Sequence, residues 1–346
     1  MIGQYNITTI FALKYVGLKK LLLIRFSSIG DIVLTTPIVR AIKHQTDFEL
    51  HVLTKQTYKG IYESNPNVDK VHFFSKSTAE CITDLKNEKF DIIIDLQKNI
   101  RSHKLKNKLK VKSFTFPKLN IEKWLLVNLK INKLPHLHIV DRYFDAVGSL
   151  GITNDGLGLD YFIPAEDEVA PENIDYRLKD GYVGFVIGGQ HITKIFPAEK
   201  AALIISKISK PVVLIGGPDD RNRGEEIIKL APESDIINTC GELNINRSAS
   251  LVNLSEVIIT NDTGLMHIAA AFNKPIISIW GNTIPEFGMY PYMPKAKNNY
   301  FISEVKGLSC RPCSKLGYQK CPKKHFKCMM DQDVDVITNR LNSFLL

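Results

Sequence analysis

The stretch KLLLIRFSSIGD, residues 20–31, decides how this chain reads. Lys20–Phe26 is a short apolar run that reads as a buried strand, and the polar loop SSIGD follows it directly. Working outward, apolar runs at 48–53, 70–74, 91–96 and 111–116 alternate with helix-like stretches at 31–43, 55–64 and 78–89. Strands apolar on both faces and separated by helices predict a parallel sheet covered on both sides. Residues 151–165 (GITNDGLGLDYFIPA) are rich in turn formers and read as an inter-domain linker. The alternation then restarts. Strands are expected at 182–187, 212–215, 235–237, 257–260 and 276–279, with helices near 197–208, 222–230, 246–253 and 265–272. The expected fold class is α/β: two αβα sandwiches in series, facing each other across a cleft. Open α/β sheets bind ligands beyond the carboxyl ends of their strands. The loops to inspect are therefore 27–31, 97–102, 188–196, 216–221, 261–264 and 280–288.

Composition narrows the class. The 346 residues are 44% hydrophobic and 23% charged, which fits a globular chain of about two domains. No run approaches the roughly 20 apolar residues of a membrane span. Residues 1–17 lack the pattern of a secretory signal, and six cysteines do not make a disulfide scaffold, so the reducing cytosol is expected. The net charge of +9 is lopsided. Residues 1–163 hold 24 Lys/Arg against 15 Asp/Glu, whereas residues 164–346 hold 21 of each. Segment 98–133 is the densest, and a field of this kind suits an anionic partner.

Three post-strand loops carry chemistry. In Ser27–Asp31, the carboxylate of Asp31 reads either as a helix N-cap or as a general base, and an alternative helix start lies at Thr36-Pro37. In Gly188–Lys194 (GGQHITK), two glycines and a lysine suit a phosphate. In Thr260–His267 (TNDTGLMH), small polar residues before a helix suit an anion through free amides and the helix dipole, or simply cap the turn. His267 reads as a core histidine. Gly216–Asp220 is a comparable loop that could hold a ribose. No GxGxxG follows the first strand, and GxxxxGK[ST], GxSxG and HExxH do not occur. No Asp-x-Asp ends a strand in the second half, so a metal-bound nucleotide sugar is not suggested.

Residues 20–43 (KLLLIRFSSIGDIVLTTPIVRAIK) together with 260–281 (TNDTGLMHIAAAFNKPIISIWG) resemble glycosyltransferase family 9, the ADP-heptose:lipopolysaccharide heptosyltransferases. The resemblance runs from about Lys19 to the C-terminus. It implies a GT-B fold of two Rossmann-like domains. An extension at 1–18 would precede an acceptor domain at 19–163. A donor domain at 164–330 and a C-terminal helix at 331–346 packing back on the first domain would follow. It implies inverting, metal-independent transfer of heptose from ADP-heptose to a phosphorylated, acidic lipid-A-linked core acceptor. The enzyme would be cytoplasmic, peripheral at the inner face of the inner membrane, with no nucleic-acid partner and no catalytic cofactor. Asp31 matches the family's general base, Lys194 its diphosphate lysine, and Asp262, Thr263, Gly264 and Leu265 its donor loop. Gly217 and Asp220 fall near the adenosine pocket. Lys98, Arg101 and Lys118 are assigned to the acceptor by charge. A different nucleotide sugar or acceptor, or a non-catalytic module binding acidic glycolipid, are the rival readings.

Cys310, Cys313, Cys321 and Cys328 form C-x2-C-x7-C-x6-C. That spacing suits a structural zinc, with an iron–sulfur cluster or thiols packed in turns as rivals. Cys81 and Cys240 read as core residues.

Overall fold

The computed structural model describes residues 20–346; the expected extension at 1–18 lies outside the described residues. The described chain divides into two compact units, one of residues 20–118 and 137–162, the other of 119–136 and 163–346.

The first unit is built on five parallel strands, β1 (Lys20–Ile24), β2 (Glu49–Lys55), β3 (Lys70–Phe74), β4 (Ile92–Asp95) and β5 (Lys112–Thr115), in the order β3-β2-β1-β4-β5. Leu21 to Ile24 are fully buried, as a central strand covered on both faces requires. Leu22, Ile24, Phe26, Leu53, Phe74 and Ile93 form the core on one side. The helix expected at 31–43 is two helices, α1 (Ile29–Val33) and α2 (Thr36–Gln45). The break has a local cause. The hydroxyls of Thr35 and Thr36 donate back to the carbonyls of Ile32 (2.7 Å) and Val33 (2.8 Å), and Pro37 has no N–H to continue the ladder. Helix α3 (Ile100–Leu109) follows β4 and is opened by a capping box of Asn99 and Ser102.

The stretch read as a linker is docked instead. Arg40 of α2 donates Nε to Asp155 Oδ2 (2.7 Å) and Nη2 to the Gly158 carbonyl (2.9 Å), and it pairs with Asp160. Residues up to Phe162 therefore belong to the first unit.

Near the amino ends of β2 and β3, two buried imidazoles meet. His51 Nδ1 lies 2.9 Å from His72 Nε2, and His51 Nε2 lies 2.8 Å from Glu49 Oε1. Phe90 packs edge-on against both rings. Burial, with the neighbouring His51, pushes His72 down to about 4. Protonation of His72 therefore favours the unfolded chain, where a histidine titrates near 6.5. Stability from this group is complete above about pH 6.5 and is lost as the pH falls toward 4, by about 2 kcal/mol after solvent screening. Glu88, held at about 2 by Lys20 and Lys70, and Glu49, lowered by His51 and Lys20, stay ionised in that window. Denaturant midpoints at pH 7 and pH 5 should fall apart in the wild type and converge in His72→Gln.

The second unit carries six parallel strands, β6 (Val183–Val186), β7 (Val212–Ile215), β8 (Ile236–Asn238), β9 (Val257–Asn261), β10 (Ile276–Trp280) and β11 (Tyr300–Glu304), in the order β11-β10-β9-β6-β7-β8. Strand β11 was not expected. It is an edge strand, only half-buried, so its sequence lacks the continuous apolar run of its neighbours. Helix α4 (Asn120–Leu129) belongs here, although the sequence assigns it to the first domain. The Lys130 amine after it donates to the carbonyls of Cys310 (3.2 Å) and Pro312 (2.8 Å), and Lys123 stands over the Phe287 ring. Helix α5 (Gly264–Ala271) follows β9, and the chain ends in α6 (Val334–Leu345). The expectation that the last helix packs back on the first domain is corrected: Ile337 and Leu341 of α6 are fully buried in the core formed by Phe185, Leu214, Ile259 and Ile277. Among the described residues no helix is long and apolar enough to cross a membrane.

Candidate active site

In each sheet the chain reverses direction beside the first strand, between β1 and β4 in the first unit and between β6 and β9 in the second. Ligands of open α/β folds bind at such switch points, at the carboxyl ends of the strands.

At the first switch point the carboxylate is Asp31. It sits at the third position of α1, not at the cap. Its Oδ2 accepts from the Ser28 backbone (3.2 Å) and hydroxyl (2.9 Å), so Ser28 and Asp31 form a capping box. Its Oδ1 lies 2.6 Å from Arg25 Nη2. Arg25 is the residue that sequence reading missed. It is buried at the end of β1, with Nη1 donating to the Leu96 carbonyl (2.5 Å) and the Tyr143 hydroxyl (3.0 Å) and Nε to the Ser27 carbonyl (3.0 Å). Burial works against its charge, but the Asp31 carboxylate together with the Tyr143 and Tyr62 hydroxyls outweighs it and holds the guanidinium above its ordinary range. The clue was one cation closing an otherwise apolar run. Gln97 Oε1 accepts from the Phe26 backbone (2.8 Å), which ties the loop after β4 to the loop after β1. Asp31 thus has fixed orientation and remains about a quarter exposed.

At the second switch point Lys194 closes a one-turn helix, Ile192–Lys194, after β6. Its amine lies 2.5 Å from Asp262 Oδ2, which also accepts from the Thr283 hydroxyl (2.8 Å). Asn261 staples the two loops together. Its Nδ2 donates to the Gly188 carbonyl (3.1 Å), and its Oδ1 accepts from the Phe196 backbone (3.1 Å). Thr263 is the N-cap of α5 in extended backbone, and its hydroxyl makes no capping hydrogen bond. The first-turn amides of α5 therefore face the loop without a side-chain cap. A lysine, a helix N-terminus and a glycine turn converge here, which is the chemistry of a diphosphate subsite.

Residues 79–318 match the sequence pattern of the family described as glycosyltransferase family 9 (heptosyltransferase). The chain belongs to that family. It is 25% identical over 292 residues to lipopolysaccharide heptosyltransferase 1 of Campylobacter coli, covering 76% of this chain and 84% of that protein. The crystal structure of a family 9 glycosyltransferase from Veillonella parvula DSM 2008 superposes with a TM-score of 0.72 at 20% identity, over 94% of this chain and 97% of that one. The Escherichia coli ADP-heptose lipopolysaccharide heptosyltransferase II gives 0.69 at 17% identity, over 94% and 98%. The fold is thus GT-B, with two Rossmann-like domains, and the enzyme is a glycosyltransferase.

The remaining family 9 expectations fall out unevenly. Gly264 and Leu265 open α5 beside Asp262 and Thr263. Asp220 is buried and committed. Its Oδ2 accepts from the Gly217 backbone (3.0 Å), and its Oδ1 pairs with Arg223 (2.7 Å). A Cβ on Gly188 would stand 2.2 Å from Asp220 Oδ2, so Gly188 is needed for this close approach rather than for open amides. Asp220 shapes the floor between the loops after β6 and β7. Lys98 donates to the Phe116 carbonyl (2.8 Å), and Lys118 to the carbonyls of Gln97 (3.1 Å) and Lys98 (3.0 Å). These two lysines clasp the loops after β4 and β5. Arg101 of α3 stands over the Phe26 ring, beside the Asp31 loop. His267 is buried in α5, in the core position read for it.

The four C-terminal cysteines lie near one another: burial raises the Cys313 thiol to about 11 and the Cys328 thiol to about 12, and the neighbouring cysteine thiols add to both shifts. Cys313 Sγ donates to the Cys310 carbonyl (3.0 Å), Cys310 Sγ lies 3.9 Å from His325 Nε2, and Cys328 is buried in the core. Among the described residues, the group of three or more metal-type ligands converging within 4.8 Å is His51, His72 and Glu88, with no cysteine in it. In that group Glu88 is already held by Lys20 (2.6 Å) and Lys70 (2.5 Å). No step of the reaction is assigned to a metal.

Proposed function

We propose that this enzyme transfers a heptose from ADP-heptose to the inner core of lipopolysaccharide, with inversion at the anomeric carbon. The observation that carries the reading is the pairing of Lys194 with Asp262 at the uncapped start of α5, in a chain of the heptosyltransferase family. An acceptor hydroxyl attacks the anomeric carbon, the bond from that carbon to the diphosphate oxygen breaks, and the hydroxyl proton passes to Asp31. The electron pair leaves on ADP, where Lys194 and the α5 amides stabilise the growing charge without a metal. Arg25 and Ser28 fix the orientation of Asp31, which sets where its carboxylate takes the proton. The basic residues around α3, including Arg101, receive the acidic acceptor, with Lys98 and Lys118 shaping the loops. The reading puts the enzyme at the cytoplasmic face of the inner membrane, where its lipid-linked acceptor is made.

A nucleotide panel tests the donor. A ligand that binds only the folded state stabilises it by about 2.7 kcal/mol at one hundred times its Kd. ADP should raise the melting temperature selectively, and transfer from ADP-heptose should persist in EDTA. A response to UDP or GDP instead of ADP would redirect the reading to another donor, and chelator-sensitive transfer by folded protein would remove the metal-free route.

A further inference from the structure

The segment 119–136 presents apolar side chains to solvent where a helix on a folded core would bury them. In α4, Ile121 is 72% exposed and Trp124 53% exposed, one turn apart on the face opposite the buried Leu126. Leu129 (54%) and Ile131 (46%) carry the exposure through the end of the helix. Burying large apolar side chains is favourable, so four left out on one short segment mark a surface that is covered in use. The segment itself is mostly basic: residues 119–136 hold Lys123, Lys130 and Lys133 against one acid, Glu122. Lys133 is exposed in the same segment, whereas Lys123 and Lys130 are turned to Phe287 and to the Cys310 and Pro312 carbonyls and brace the helix from behind.

We infer that α4 and the turn after it are a bilayer-docking element, with Trp124, Ile121, Leu129 and Ile131 entering the interface of an anionic phospholipid membrane and the exposed Lys133 meeting its headgroups. Tryptophan is the side chain best suited to the headgroup layer, and apolar contact combined with basic charge is what holds a peripheral helix to an acidic surface. A second copy of the chain is disfavoured as the occupant, because it would bring another acid-poor, lysine-rich segment against this one. The inference rests on the proposed lipid-linked acceptor for its purpose but not for its physics.

The protein carries its own probe. It has two tryptophans, and Trp280 is 1% exposed, so solvent-sensitive emission reports Trp124. Full-length protein is mixed with vesicles of phosphatidylcholine alone and of phosphatidylcholine with 30% phosphatidylglycerol, without sugar nucleotide. A blue shift and loss of acrylamide quenching are expected with the anionic vesicles only. The double substitution Ile121→Ser, Trp124→Ser, on exposed positions, should lower co-sedimentation with those vesicles about tenfold or more. Binding that leaves Trp124 as quenchable as before, a variant that sediments like wild type, or a blue shift that grows with protein concentration in the absence of vesicles would overturn the inference. Transfer to a delipidated, water-soluble acceptor is measured in parallel. Retained transfer with failed vesicle binding removes the docking element alone, and the reverse removes the catalytic reading alone.

Discussion

Asp31→Asn is expected to lower the transfer rate by about 10²- to 10⁴-fold, the usual worth of a positioned general base, while ADP binding stays near wild type. The substitution keeps size and shape and removes the proton acceptor. The local cost is calculable from the contacts. An asparagine offers one oxygen, which Arg25 at 2.6 Å will claim, leaving an amide nitrogen toward the Ser28 backbone and hydroxyl. Two donors then face each other in a partly exposed capping box. About 1–2 kcal/mol of stability is the expected loss, because one hydrogen-bond partner is left unmet. Melting temperature and ADP titration therefore accompany the rate measurement. A folded Asp31→Asn enzyme with intact ADP affinity and near-wild-type turnover would reduce Asp31 to a capping residue. Arg25→Lys separates orientation from chemistry. It keeps the charge but loses the fork that grips Asp31, Leu96 and Tyr143 together, so turnover should fall while the pH profile keeps its carboxylate limb.

How much of this was legible in the sequence follows from burial. Strands such as Leu21–Ile24 and Val212–Ile215 are buried on both faces, and their apolar runs announce them. The half-buried edge strand β11 sends no such signal. The Asp31, Lys194 and Asp262–Leu265 loops were readable because short polar motifs follow strands that were themselves readable. Their partners were not. Arg25, Asn261 and Thr283 act through contacts that fold topology creates, and a single cation or amide at a strand end carries no spacing rule. The assignments of Lys98 and Lys118 rest on charge, and that of Asp220 on the family resemblance. The structure gives those side chains carbonyls, a backbone amide and Arg223 as partners, which pattern alone does not reveal. The placement of 119–136 and of the last helix depended on long-range packing, and sequence proximity pointed to the wrong unit for both.

Lys194→Ala is expected to weaken ADP-sugar binding by about 10- to 100-fold, the worth of one charge-assisted contact to phosphate. Asp262 makes the prediction sharper. With Lys194 and Asp262 2.5 Å apart, the pair is close to neutral, and the field that meets a diphosphate comes from the lysine's remaining N–H groups and the α5 amides. Removing the lysine leaves a mostly buried carboxylate with the Thr283 hydroxyl as its named partner, beside the place where phosphate must sit. Repulsion then adds to the lost contact, and the folded state is weakened as well. Removing the other partner has the opposite sign. Asp262→Asn keeps the Thr283 contact, leaves Lys194 its full charge, and should bind ADP as tightly as wild type or more so. Turnover should still fall, because the ammonium is no longer held at one point when the leaving charge develops. The double variant should bind ADP better than Lys194→Ala alone, since the uncompensated carboxylate is gone. Calorimetric titration of ADP into the three variants gives the cycle directly. Equal affinity in wild type and Lys194→Ala would detach this lysine from the diphosphate and leave the α5 amides as the anion site.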